Sequence, residues 1–393
     1  MRTLHIYNID HDYALANGSH NFTPPVKIRK MRNLYSLFPA LYAEKGDLIL
    51  HLDSDANNLP DKDVDINKSY NFFRNLIELK ELRLVRLDEL HQIDFSDTEI
   101  APWGWNHTLI YKLLNNGVPS TALPLTVYID RIRKLSHRST SMSFLKYILQ
   151  FARNIKYAME SEIVINAFKD ISSPREIHSV EELWSIKDRF GLLYLKAPWS
   201  SSGRGVMYTK DLTDDQIAQW VHGIISKQGS VIVEKAYKRK ADFATEWALV
   251  NGQPVFLGFS TFETSPRGKF KVNRFGTLDQ LDYMPLELIT EYTRFNDFEA
   301  SVILSRIIEA QIAAIKAILS NQLQLPNHIL YLGIDMLIGE DDIINPCVEV
   351  NLRTTMGHVA LMVSEQITDA TDSSLKQELL KFVENNGLRL PEI

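Results

Sequence analysis

Cysteine is almost absent: Cys347 is the only one in 393 residues. No intrachain disulfide can form, which fits a reducing compartment. Cys347 lies between Pro346 and Val348 in an apolar run, the setting of a buried strand residue rather than a reactive thiol. No run approaches the ~18–20 apolar residues that a membrane-spanning helix needs. The N-terminal stretch MRTLHIYNIDHDYA lacks the apolar segment and small-residue cleavage site of a secretory signal. Positive charge is not in excess either, since 43 Lys and Arg stand against 49 Asp and Glu for a net charge of -6. That balance gives no reason to expect nucleic acid or an anionic membrane as the main partner. There is no internal repeat and no low-complexity segment. The expectation is a cytoplasmic enzyme or binding protein acting on small molecules.

What the chain does have is the composition of a soluble globular protein, with 45% hydrophobic and 23% charged residues. Its length exceeds one small core and predicts two domains or several lobes. Apolar runs of strand length alternate with helical periodicities, which predicts an α/β fold. Strands are expected at Leu4 to Ile9, Asp47 to Leu52 and Leu84 to Leu87, with helices over Asn71 to Leu82 and Thr108 to Asn115. Pro119 and Pro124 place a boundary near residue 130. Helical patterns follow near 141–160 and 176–190, then strands at Gly191 to Lys196, Ser230 to Glu234, Phe243 to Val250 and Pro254 to Ser260. Asn251-Gly252 is a hairpin turn signal. A helix from about Asp297 to Ser320 precedes two more strands, Gly333 to Ile338 and Ile343 to Val350, joined by Gly339-Glu340-Asp341-Asp342.

Three motifs carry chemistry. In the first, a strand ending in Lys196 runs into Ala197-Pro198-Trp199-Ser200-Ser201-Ser202-Gly203-Arg204-Gly205-Val206. Small side chains let backbone N–H groups approach phosphate oxygens, and lysine adds a point charge. A flexible hairpin would look the same. In the second, the strand Val231 to Glu234 leads through Lys235 and Ala236 to Asp242. Backbone groups there can meet an adenine edge, and a carboxylate a few residues on can accept from ribose hydroxyls. Solvated acidic residues at a strand end are the alternative. The third is a hairpin carrying Asp335 on one strand and Glu349, Asn351 and Arg353 along the other. Residues two apart on a strand share a face. Two carboxylates and an amide on apolar strands suit Mg²⁺, with phosphate and water completing its shell; two solvent-facing carboxylates are the other reading.

From residue 131 onward, these motifs in this order resemble the ATP-grasp superfamily. The resemblance implies an ATP-grasp fold of α+β lobes (a small lobe over about 131–235, a large lobe over about 236–393), preceded by an α/β domain over 1–130. It implies that Lys196 and the loop Ser200, Ser201, Ser202, Gly203, Arg204 and Gly205 contact phosphate. Glu234, Lys235 and Ala236 would hold adenine, and Asp242, in place of the usual glutamate, the ribose. It implies Mg²⁺ (or Mn²⁺) on Asp335, Glu349 and Asn351. Arg353 would contact the reacting anion, Arg138 would replace the family's early phosphate lysine, and Arg274 would reach the γ-phosphate or simply be solvated.

The N-terminal domain is expected to help bind substrate, through Asn8, Asp10, His11 and Asp12 after the first strand and Trp103 and Trp105 at another strand end. The same polar cluster read structurally caps a turn, and the tryptophans then pack against the neighbouring lobe. The activity implied is ATP- and Mg-dependent joining of a small-molecule or peptide carboxylate to an amine through an acyl phosphate. A small-molecule kinase and a non-catalytic ATP-binding regulator stay open as alternatives.

Overall fold

The computed structural model describes residues 2–52, 64–154, 158–200, 205–265, 270–274, 276–324, 328–370 and 373–386. The first part contains β1 (Arg2–Ile6), α1 (His11–Asn17), α2 (Val26–Leu34), β2 (Leu48–His51), α3 (Val64–Leu79), β3 (Arg83–Arg86), β4 (Thr98–Pro102) and α4 (His107–Asn115). Its four strands form a parallel sheet in the order β3-β2-β1-β4. Both faces are covered, which explains why these strands read as unbroken apolar runs. Leu48 and Leu50 enter one core while Ile49 enters another. β1 stops at Ile6 rather than Ile9, because Asn8 bonds the Gly104 backbone in both directions (2.8 and 3.3 Å) and Asp10 opens α1.

Helices α5 (Thr126–Leu135), α6 (Ser139–Ala152) and α7 (Ala158–Ala167) follow. The single helical pattern expected near 141–160 is therefore two helices. Next come β5 (Arg175–Ile177), α8 (Val180–Phe190), β6 (Leu193–Lys196), β7 (Val206–Tyr208), α9 (Asp214–Gln228) and β8 (Val231–Lys235). The helix expected from residue 176 starts only at Val180, after a short strand. The antiparallel sheet β5-β8-β6-β7 packs Leu193, Leu195, Val231 and Val233 against α8 and α9. The strands alternate with period two, so Tyr194, Lys196 and Glu234 fall on the uncovered face.

The remaining elements are β9 (Arg239–Val250), β10 (Gln253–Thr264), β11 (Phe270–Asn273), α10 (Leu278–Tyr292), α11 (Asp297–Ile315), β12 (Ile329–Gly339), β13 (Ile344–Asn351), α12 (Met356–Asp369) and α13 (Ser373–Asn386). The sheet β11-β10-β9-β12-β13 is antiparallel. Asn251 and Gly252 both take positive φ (51° and 76°), as a type I′ hairpin turn requires. One face of this sheet is apolar: Phe243, Phe259, Met336, Ile338 and Ile344 meet Ile303 and Ile307 of α11. Cys347 is buried here, and burial raises its thiol pKa. The opposite face turns toward the small sheet. The fold class is the expected one, α/β, with a parallel N-terminal sheet followed by two antiparallel sheets. Among the described residues, no helix is long and apolar enough to cross a membrane.

Candidate active site

Two cavities open between the sheets. The first is walled by Tyr194, Lys196, Val206, Glu234 and Lys235 from the small sheet, Tyr237 from the connection after it, and Asp242, Met336, Leu337 and Val348 from the large sheet. Apolar strips with polar groups at one end suit a planar base carrying a polar tail. The second lies toward the N-terminal domain, between Ile9, Asp12 and Trp103 on one side and Glu246, Ser260, Phe270, Asn273, Asn351, Arg353, Thr355 and Gly357 on the other. Asp335, Glu349, Phe262 and Thr264 line both cavities.

The hairpin β12–β13 creates that shared border. Asp335 and Glu349 are direct cross-strand partners, so their carboxylates project from the same face. The Asn351 amide donates to Asp335 Oδ2 at 3.2 Å. Burial first, then Glu349 and Glu246, push the Asp335 carboxyl well above the usual carboxylate range. Arg138 Nη1 pairs with Glu349 Oε2 at 2.8 Å. One oxygen of each carboxylate then has no partner among the described residues. This donor set fits a hard divalent cation: two anionic oxygens and an amide oxygen, with mutual repulsion that a cation would relieve. Among the described residues no group of three or more His, Cys, Asp and Glu is placed to hold a metal. Phosphate and water oxygens would have to complete the shell.

The cations around the border are already paired. Lys196 Nζ lies 2.6 Å from Glu234 Oε2. Buried Arg138 also donates from Nε to the Ala197 carbonyl (3.0 Å) and from Nη2 to Ser200 Oγ (3.0 Å), tying the loop after Lys196 to the start of α6. Arg353 donates to Asp12 Oδ2 (3.0 Å) and Asn351 Oδ1 (3.1 Å), linking the N-terminal domain to the hairpin. The loop closes at its base where Ala197 N–H donates to the Gly205 carbonyl (2.8 Å), and Gly205 has φ +77°. Ser201, Ser202, Gly203 and Arg204 lie outside the described residues.

Other expected site residues sit elsewhere. Ala236 gives its N–H to the Leu192 carbonyl (3.0 Å) and does not line the first cavity. Asp242 does line it, paired with Arg239 at 3.2 Å and accepting from Thr264 Oγ1 at 2.7 Å, with burial raising its pKa. Arg274 is half exposed near Glu263 in a neighbouring groove, away from the carboxylates. Of the N-terminal residues expected at the site, Asp12 and Trp103 line the second cavity and the other four line neither. Trp105 is fully buried in the core. Asn8 holds Gly104, and Asp10 pairs with Arg32 at 3.0 Å. His11 is packed against Gly104, and burial lowers its pKa to about 4. Glu246 is the site residue without a sequence-derived role. The signal was one charged residue inside the apolar run Phe243 to Val250.

The chain matches no protein-family model and no curated protein. Among solved structures it is similar to a biotin carboxylase from Campylobacter jejuni, at TM-score 0.48 and 11% identity over 100% of this chain and 72% of that one. It is also similar to an N5-carboxyaminoimidazole synthetase from Staphylococcus aureus (TM-score 0.43, 11% identity, 96% and 76% covered). A third is a D-alanyl-alanine synthetase from Vibrio cholerae (TM-score 0.42, 14% identity, 87% and 99% covered).

Proposed function

We propose that this protein is an ATP- and magnesium-dependent ligase that joins a carboxylate to an amine through an acyl phosphate, releasing ADP and phosphate. One observation carries the reading: Asp335 and Glu349 line both cavities and stand where the two meet. A nucleotide in the first cavity would bring its phosphates to that border, and substrates in the second would meet them there. Asp335, Glu349 and Asn351 would hold magnesium, which when bound neutralises phosphate charge. Lys196 and Arg138 supply positive charge from the small-lobe side, provided they leave or share Glu234 and Glu349. Arg353 orients the anionic substrate while anchored on Asp12. Positioning and charge neutralisation are the whole of the chain's task in such chemistry.

The test is an ADP-release screen over organic acids, amino acids and short peptides with Mg²⁺, using hydroxylamine as a surrogate acceptor. Hydroxylamine converts an acyl phosphate to a hydroxamate, so the carboxylate can be found before the amine is known. ADP with hydroxamate supports the reading. A stable phosphorylated product without hydroxamate supports a kinase, and ATP binding with no ADP release across the panel supports a regulator.

A further inference from the structure

The second cavity has an unusual floor. Glu246 on β9, Gly333 on β12 and Asn351 on β13 are successive cross-strand partners, so they share one face of the sheet. Glycine in the middle leaves room for Glu246 to lie across the row. A Cβ at Gly333 would stand 2.8 Å from Glu246 Oε2, and one at Gly357 would stand 1.8 Å from Oε1.

Glu246 is 1% exposed. Ser260 Oγ donates to its Oε1 (2.7 Å) and Thr355 Oγ1 to its Oε2 (2.9 Å). His358 Nδ1 lies 3.0 Å from Oε2 and 2.9 Å from Thr355 Oγ1. Its Nε2 faces the Trp247 carbonyl at 3.1 Å, which can only accept, so the hydrogen sits on Nε2. Nδ1 then accepts the Thr355 N–H at 3.1 Å. Burial, the largest influence, lowers the His358 pKa and favours the same neutral form. No Lys or Arg pairs with Glu246 among the described residues. A buried carboxylate answered only by hydroxyls is costly.

An opposite demand stands in the same cavity. The Asn273 amide nitrogen is buried with no hydrogen-bond partner among the described residues, and its residue is 2% exposed. Apolar side chains of Phe262, Phe270, Trp103 and Met356 line the space around them. An anion lacking a cation and a donor lacking an acceptor, with apolar walls, describe one complementary ligand.

We propose that this cavity is the subsite for the second substrate, a primary amine bound as its ammonium, with a carbonyl or carboxylate nearby and an apolar body. Glu246 holds the ammonium, Asn273 donates to the carbonyl oxygen, and the aromatic walls take the side chain. This assignment names the amine of the ligase reading and rests on it for its place in the reaction. Its binding chemistry stands without it.

Calorimetric titration with leucinamide, which carries an ammonium, a carbonyl and a branched apolar body, tests the subsite directly. Its desamino analogue, 4-methylpentanamide, has the same shape without the charge. Wild-type protein should bind leucinamide and bind 4-methylpentanamide at least tenfold more weakly. Glu246→Gln should weaken leucinamide binding at least tenfold and Asn273→Ala about fivefold, with ATP binding and thermal melts reporting that both variants fold. No leucinamide binding to the wild type, equal binding to Glu246→Gln, or equal binding of the desamino analogue would overturn the subsite. If Glu246→Gln fails to fold, Asn273→Ala and the paired ligands decide. Leucinamide binding through Glu246 without hydroxamate formation keeps the subsite and removes the ligase reading. Hydroxamate formation with charge-blind leucinamide binding does the reverse.

Discussion

Asp335 is a buried carboxyl group beside two other acids, and the proposed function makes it a metal ligand. Its folded-state pKa is raised by burial and by Glu349 and Glu246. The protonated form therefore favours folding. That contribution is complete below the ordinary carboxylate pKa of about 4 and is lost as pH rises through the raised value. Metal-free Asp335→Asn should accordingly gain a few degrees in Tm at pH 7, roughly 1 kcal/mol, and less than that at pH 4. Its rate of ADP release should fall at least a hundredfold. An unchanged melting temperature at neutral pH would mean that the repulsion is already relieved by other groups. Arg138 presents the opposite case. It satisfies Glu349, Ala197 and Ser200 together, so Arg138→Ala should cost ~3–5 kcal/mol in denaturant unfolding by leaving a buried charge unpaired. At this scale the sequence was half legible. Asp335, Glu349 and Asn351 stood out because a carboxylate on one strand, and a carboxylate and an amide two apart on the next, interrupt apolar strands. Glu246 did not, because Ser260, Thr355 and His358 reach it from separate elements. His11 and Asn8 were indistinguishable from ligand-binding residues, since burial cannot be read from a short polar cluster.

Local chemistry decides the elements that frame the site. Thr355 caps α12 by accepting from the N–H groups of Gly357 (3.1 Å) and His358 (3.2 Å), while its hydroxyl also donates to Glu246. The helix start is thus pressed against the sheet, and only glycine fits at 357. Gly357→Ala should lose about 2–4 kcal/mol in denaturant melts, far beyond the helix-propensity gain of alanine; a neutral result would mean that Glu246 swings away freely. A second clamp joins α12 to the N-terminal domain. Buried Lys80 donates to the carbonyls of Ala40 (2.9 Å), Leu41 (3.1 Å) and Ala43 (2.9 Å) and to Gln366 Oε1 (2.6 Å). Lys80→Met should cost ~3 kcal/mol, measured by thermal melting, because four acceptors lose their donor. Hairpins were easy to find in the sequence, through period-two alternation and the Asn251-Gly252 turn. α10 was not found: Pro285 lies within it, and an internal proline reads as a breaker.

Across the whole molecule, two shared cores fix the N-terminal domain to the large lobe. Leu4, Ile6 and Leu50 join Trp247, Ile334 and Val350 in one, and Tyr7 and Ile49 join Val359 and Val363 of α12 in the other. The small-lobe sheet has its own core with α8 and α9, and Arg138 links the loop after Lys196 to Glu349 of the large sheet. The α/β class was readable from alternating strand and helix patterns. The joining of cores was not, since it depends on pairing residues hundreds of positions apart. This arrangement places one carboxylate pair between two cavities, the first proposed for a nucleotide and the second for substrate, and the most direct measurement of that proposal is metal-coupled nucleotide binding. ATP affinity should be determined by calorimetry with and without Mg²⁺, for wild type and Asp335→Asn. The account predicts at least tenfold tighter binding with Mg²⁺ in the wild type and loss of that enhancement in the variant. Equal ATP affinity with and without Mg²⁺, or an enhancement that survives in Asp335→Asn, would contradict it.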